Sequence, residues 1–108
     1  MVESGAYDLD LIFHALSDPT RRAILKSLTR HERPITAVAR PFEISLAAVS
    51  KHVKVLERAR LVQRTRRGSY SYLSLNARAM VSAGQWLDHY RAIWEERLEN
   101  LTQLLEKE

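Results

Sequence analysis

The apolar positions between Ser45 and Val62 recur at the spacing of a helix that buries one side. They fall at intervals of three, four and three residues, at Leu46, Val49, Val53 and Leu56. Ser45 stands just before the first of them and is a favourable N-cap residue. This pattern predicts an amphipathic helix around which the rest of the chain is organised.

The opposite side of this helix is small, polar and basic. It carries Ala47, Ser50, Lys51, Lys54 and Arg58. Short side chains let a backbone approach a surface closely, and the longer cations reach phosphates or base edges. The face is typical of a helix that reads DNA, and Ser45 is counted with it as a candidate DNA contact. Taken alone, however, the pattern favours this interpretation no more than an ordinary surface helix with a solvated basic face.

Three shorter helices are predicted before it. Apolar spacing indicates the first over residues 8–16. Asp18 as N-cap and Pro19 at the first helical position begin the second, which continues to about residue 29. A short third helix begins at Ile35 and is limited by Pro41. Residues 35–60 are therefore a candidate helix-turn-helix.

Residues 62–75 change from helical spacing to alternation and predict a β-hairpin. Val, Thr, Tyr and Leu suit strands, and Gly68 supplies the residue that a tight connection needs. A hairpin placed directly after a helix-turn-helix is a wing. We expect the cations Arg64, Arg66 and Arg67 to cluster at its tip and to meet a phosphate backbone or a minor groove. A loop that is merely soluble is the less favoured alternative.

Residues 77–105 carry a sustained, nearly heptad apolar stripe, and Asn76 is placed to cap this final helix. A small domain cannot bury so much apolar surface by itself, so the stripe predicts a partner helix, most economically that of a second copy. The predicted dimerisation residues, on the first and last helices, are Leu9, Ile12, Phe13, Leu87, Tyr90, Trp94, Leu98, Leu101 and Leu105. The alternative is a final helix that packs only within its own chain.

Charge is distributed unevenly along the chain. Residues 19–75 contain 13 Lys or Arg against three Glu, a net charge of +10, whereas residues 1–18 carry −4 and residues 76–108 carry −2. A basic middle between acidic ends indicates one face for a polyanion and another for a different contact. The cations alternate with strand and turn residues instead of lining an aromatic amphipathic helix, so nucleic acid is favoured over a membrane surface.

The predicted fold is mainly α with a small β-hairpin (α+β), in the order α-α-α-α-β-β-α. The length of 108 residues fits a single domain over residues 1–108. No apolar run approaches the roughly 18 residues of a membrane span, so we expect a soluble, cytoplasmic protein. The chain has no cysteine, which excludes disulfides and thiolate metal or redox sites.

Three stretches resemble the ArsR/SmtB family of winged-helix transcriptional repressors: residues 15–25, residues 48–56 followed by 61–62, and residues 86–98. The resemblance extends from about Leu9 to Leu105. It implies a homodimer whose recognition helices enter successive major grooves of double-stranded DNA while the wings grip the flanks. Such a repressor covers a promoter until an effector favours a conformation that does not bind. Ser50, Lys51, His52 and Lys54 match positions of the family's recognition helix.

Two residues depart from the family pattern. Leu46 stands where a polar residue is common, which puts the base preference in doubt. Arg60 stands where glycine usually precedes Leu-Val, at the predicted end of a helix. A left-handed backbone conformation there would have an energetic cost for a residue that carries a Cβ.

Metal sensing is the family's best-known property, but the residues here do not predict it. The third helix lacks the cysteine pair of family sensors, and the last helix offers only Asp88 and His89. His14, His31 and His52 lie on separate elements. We therefore predict no metal and no other cofactor. For His52, contact with a phosphate and packing against the preceding helix are equally favoured.

The leading hypothesis is thus a dimeric, DNA-binding repressor without catalytic activity. The second is a protein-interaction module that uses the apolar last helix and attracts DNA only non-specifically. An enzyme is least favoured, because the sequence shows no phosphate-binding glycine loop, no cysteine nucleophile and no histidine paired with carboxylates at a useful spacing. An apolar small-molecule effector near Trp86, Tyr90 and Trp94 is conceivable, although aromatic residues at helical spacing more often form a core.

Overall fold

A computed structural model describes residues 7–107, and residues 1–6 and 108 lie outside the described part. The elements are α1 (Leu9–Leu16), α2 (Pro19–Ser27), β1 (Arg33–Pro34), α3 (Ile35–Ala39), α4 (Leu46–Arg58), β2 (Val62–Arg67), β3 (Tyr70–Leu75) and α5 (Ala77–Glu106). This order confirms the predicted winged helix-turn-helix with a long last helix. No described helix combines the length and the apolar character needed to cross a membrane.

The sheet has one more strand than the predicted hairpin. Strands β2 and β3 pair antiparallel over their whole length, and the two-residue β1 pairs with the other edge of β3, giving the order β1-β3-β2. Arg33 lies opposite Leu73, and Pro34 lies opposite Tyr72. The extra strand lies directly before α3 and pairs with a strand of the wing. This pairing connects the helix-turn-helix to the wing.

Side-chain caps begin three of the helices. The carboxylates of Asp8 and Asp18 accept hydrogen bonds from the amides three residues later, at 3.1 and 3.0 Å. The Ser45 hydroxyl accepts from the amide of Ala48 at 3.1 Å. Each bond satisfies an amide that has no partner inside its helix. The predicted caps Asp18 and Ser45 are therefore confirmed.

The core lies between α1, α2, α4, the sheet and the first turns of α5. Its fully buried large side chains are Ile12, Ile24, Val38, Val49, Val53, Leu56, Leu61 and Leu73. Two sequence predictions need correction. Ile12 was predicted to form the dimer interface, but it has no exposed surface in the single protomer and belongs to the core. Leu46 was predicted to be buried, but 49% of its surface is exposed, because the core covers α4 only after its first turn.

Helix α4 ends in a left-handed turn at Arg60, whose φ is +63°. The Arg60 amide donates to the carbonyl of Glu57 at 2.9 Å, and the Leu61 amide donates to that of Leu56 at 3.0 Å. These two bonds and the buried Leu56 and Leu61 form a Schellman motif, which normally places glycine at this position. The left-handed conformation expected at this position is thus confirmed, and it is occupied by a residue that carries a Cβ.

Two contacts hold the unusual conformation of Arg60. The side-chain nitrogen Nδ2 of Asn76 donates to the Arg60 carbonyl oxygen at 2.8 Å. The Arg60 guanidinium lies 4.6 Å from the centre of the Tyr7 ring. Asn76 was predicted to cap α5, but its side chain makes no capping bond there because it serves the end of α4. The turn directs the chain from α4 straight into β2.

A pair of substitutions at Arg60 tests this conformation. Arg60→Gly and Arg60→Ala both remove the guanidinium, and they differ only in whether a Cβ remains at positive φ. We expect the glycine variant to have the higher free energy of unfolding, by about 1 kcal/mol, which reverses the usual ranking of the two residues at a helical position. Urea unfolding followed by circular dichroism measures the difference. Equal stabilities, or a more stable alanine variant, would contradict the left-handed turn.

Candidate nucleic-acid interface

The solvent-facing side of α4 is the candidate reading surface. Ser45, Ala47, Lys51, Lys54 and Arg58 are exposed, and Ser50 is half-buried among them. The core anchors the other side of the helix through Val49, Val53 and Leu56. The structure thus brings six of the predicted contact residues onto one face, with small residues toward the start of the helix and cations beyond them.

His52 is turned away from the centre of that face. Its Nδ1 lies 3.2 Å from Nη1 of Arg21 and 3.9 Å from a carboxylate oxygen of Asp18. Packing is therefore the role that the structure supports, although the neighbour is the start of α2 and not the preceding helix α3. The imidazole joins α4 to α2, and a quarter of its side-chain surface remains exposed.

Arg21 is buried to 9% exposure and connects three helices. Its Nε donates to the carbonyl of Ala15 at 2.8 Å, and its Nη2 donates to that of His14 at 3.0 Å, so it serves carbonyls left open at the end of α1. Its third nitrogen, Nη1, lies within hydrogen-bond distance of Nδ1 of His52 on α4. Sequence spacing did not reveal this role, because an arginine between Thr20 and Arg22 looks like a surface cation.

Asp18 completes this junction. The pKa of its carboxyl is lowered, first by the hydrogen bond from the Arg21 amide and further by the neighbouring side chains of His52 and Arg21, while partial burial opposes the shift. Asp18 therefore stays ionised at neutral pH beside the guanidinium. The same carboxylate caps α2. One side chain therefore fixes the start of that helix and also places a negative charge beside Arg21 and His52.

The wing turns at Gly68, whose φ is +60°, and Ser69. Arg67 pairs with Tyr70 next to this turn. Arg64 stands three residues before Arg67 on the same strand and pairs with Leu73. Arg64 was predicted at the tip, and this placement was wrong. Its Nη2 lies 3.1 Å from Oε1 of Glu57, so it braces the wing against the last turn of α4.

The two remaining wing cations have different surroundings. Arg66 is exposed, and no ion pair is found for it within residues 7–107. Arg67 forms an ion pair with Glu32, in the segment before β1, and its guanidinium lies 4.8 Å from the centre of the Tyr72 ring. Only the structure shows the involvement of Glu32, because 35 positions separate it from Arg67 in the sequence.

The apolar stripe of α5 remains uncovered in the single protomer. All residues from Gln85 to Lys107 are exposed, including 62% of Trp94 and 58% of Leu98. The helix lies along α1 near its start, where the rings of Phe13 and Trp86 are 5.3 Å apart. A groove of about 630 Å³ follows α5 past Trp86, Tyr90 and Trp94.

The predicted dimerisation residues fall into two groups. On α5 they are all exposed: Leu87, Tyr90, Trp94, Leu98, Leu101 and Leu105. On α1, Leu9 and Phe13 are half-buried against the core. Leu104, 63% exposed, is a further apolar residue on α5 that the heptad count had omitted, because it lies beside the stripe and not on its centre. Within the described residues, no three His, Cys, Asp or Glu side chains are grouped as a metal site.

Comparison with known proteins gives concordant results. A helix-turn-helix domain family matches residues 16–65. The transcriptional repressor SdpR of Bacillus subtilis is 34% identical over 76 residues, which covers 70% of this chain and 84% of that protein. The ArsR family transcriptional regulator RHA00566 superposes with a TM-score of 0.76 at 31% identity, covering 81% of this chain and 90% of its own.

The solution structure of the homodimeric winged helix-turn-helix DNA-binding domain of Mb0332, from Mycobacterium bovis, has a TM-score of 0.58. It is 24% identical and covers 91% of this chain and 95% of its own, so it shows the shared fold alone. The order of elements, the helix-turn-helix match and the identity to a curated repressor lead to one conclusion. The chain belongs to the ArsR/SmtB family of winged helix-turn-helix transcriptional regulators.

Proposed function

We propose that the protein is a homodimeric repressor that binds an inverted-repeat sequence in double-stranded DNA. The observation that carries this proposal is the exposed face of α4, where Lys51, Lys54 and Arg58 stand beside small side chains on a helix anchored from behind by the core. A rigid helix with small and basic groups outward can enter a major groove and contact both base edges and phosphates. The relative SdpR is a transcriptional repressor, which supports repression over activation.

The second copy in this proposal covers the α5 stripe. Exposed apolar surface of this extent is unusual on a monomer and is typical of a partner interface. Pairing of α5 with its symmetry mate would hold two α4 helices in a fixed relation, as reading two half-sites requires. The related winged domain of Mb0332 is homodimeric and binds DNA, which supports the same arrangement here.

The remaining parts of the proposal concern conditions and ligands. In this proposal DNA binding does not require a metal ion, because the third helix lacks the cysteine pair that the family's metal sensors carry. The site of action is the cytoplasm, where bacterial promoters are found. A small apolar molecule that entered the α5 groove would compete with the second copy for the same surface and release the DNA.

Selection from a random DNA duplex pool tests this function. The purified protein is expected to enrich an inverted repeat with half-sites about one helical turn apart, both with and without a chelator. Selection is repeated at two salt concentrations to separate sequence-specific from purely ionic binding. If no sequence is enriched and binding disappears at moderate salt, the protein-interaction module becomes the better account.

The wing arginines predict different salt dependences. Arg66→Ala should lower the slope of log affinity against log salt by about one for each protomer, because an exposed cation that meets a phosphate releases counterions. Arg64→Ala is the matched control: Arg64 is held by Glu57, and its removal should leave the slope unchanged. Fluorescence anisotropy with the selected duplex measures both. Equal slopes in both variants and the wild type would show that Arg66 makes no phosphate contact in the complex.

The proposed dimer predicts opposite outcomes for two added charges on α5. Leu98→Glu buries a carboxylate in the stripe on both sides of the two-fold axis. We expect the dissociation constant of the dimer to rise by at least about 100-fold. Gln103→Glu adds the same charge, without a change in size, on the opposite face of the helix by its spacing, and it should stay dimeric. Sedimentation velocity distinguishes them. A dimeric Leu98→Glu protein would place the interface elsewhere.

A further inference from the structure

The first turn of α4 and the residue before its cap expose apolar side chains on a basic surface. Ile44 is 42% exposed, Leu46 is 49% exposed, and Ala47 is also exposed. We call these three residues the apolar tip. In the described structure the core does not reach them, although it covers the same helix from Val49 onward. Large exposed apolar residues next to the reading face indicate a contact that the protomer itself does not supply.

The apolar tip is continuous with the basic residues of the same face. Leu46 begins a row of positions four residues apart, followed by Ser50, Lys54 and Arg58. Residues at this spacing lie next to one another along a helix surface. The row therefore changes from apolar at the start of the helix to small in the middle and basic at its end. In the usual docking of a recognition helix, the N-terminal residues contact base edges.

The chemistry of the major groove restricts what Leu46 can contact there. Base edges present hydrogen-bond donors and acceptors, which a leucine cannot satisfy, and one apolar group, the C5-methyl of thymine. Phosphates suit the apolar tip poorly, and the exposed carboxylate of Glu43, next to Ile44, repels them further. The cations Lys51 and Lys54 favour a polyanion over a purely apolar protein surface as the occupant.

We propose that Leu46 is a specificity-determining residue that packs against the C5-methyl group of a thymine in each half-site. This inference rests on the proposed DNA-binding function and adds the chemical group that is read. Ala47, one residue later and with a single methyl group, is short enough to leave room for that contact. A leucine in this position selects thymine through apolar packing, not through hydrogen bonds.

The direct test removes the methyl group from the DNA and leaves the protein unchanged. In the duplex obtained by selection, each thymine is replaced in turn by deoxyuridine, which pairs identically but lacks the C5-methyl. We expect the wild-type protein to bind about fourfold more weakly when the contacted thymine is replaced in one half-site, the effect of exposing about one methyl group. Replacement in both half-sites should cost about 15-fold, because the two sites are independent.

Two variants assign the effect to Leu46. Leu46→Ala should bind the thymine and uracil duplexes with affinities that differ by less than about twofold, and Leu46→Met should keep most of the preference. Lys54→Ala is the matched control on the same face. It should weaken binding to both duplexes equally and retain the fourfold ratio. Leu46 is half exposed, so its variants are expected to fold, and thermal unfolding confirms this before binding is measured.

The outcomes separate the two proposals. A specific sequence whose uracil replacements all bind like thymine would overturn the role of Leu46 while leaving the repressor function intact. The same holds if Leu46→Ala keeps the fourfold ratio, because the methyl effect would then act through another residue or through DNA shape. Failure to enrich any sequence would overturn both proposals.

Discussion

The position of the reading helix depends on the buried guanidinium of Arg21. Its nitrogens satisfy carbonyls of His14 and Ala15 at the end of α1 and meet His52 on α4, while its own backbone amide is bound by Asp18. A charge this deeply buried is tolerated only when its donors are paired, and its removal would leave those carbonyls unsatisfied as well. Three helices are thereby fixed together by one side chain.

The same junction connects the candidate DNA-contacting face of α4 with the exposed apolar stripe of α5. Phe13 of α1 packs on Trp86 of α5, and the end of α1 is bound by Arg21, which contacts α4 through His52. A continuous set of contacts therefore connects α5 with α4 inside each protomer. The wing belongs to the same rigid unit, because Arg64 is paired with Glu57 at the end of α4 and β1 is paired with β3.

Local rules predicted most of this architecture. Caps such as Asp18 and Ser45 act within one turn. The left-handed turn at Arg60 was instead indicated by the family resemblance, in which glycine usually stands at this position. The predictions that were wrong depended on contacts with elements distant in the sequence. Apolar periodicity marks Leu46 and Ile12 alike, but only packing decides that one is exposed and the other enclosed. Likewise, the location of Arg64 within the strand and the pairing of Arg67 with Glu32 depend on register and on long-range contacts.

The exposed second half of α5 has an evolutionary consequence. From Glu95 to Lys107 every residue lies outside the core, in a molecule that measures 67 Å along its longest axis and 22 Å along its shortest. Substitutions there leave the core of the protomer intact, unlike changes at Ile12 or Leu56, and act on the proposed contact between copies. They can therefore change which copies associate while the fold of the helix-turn-helix is unaltered.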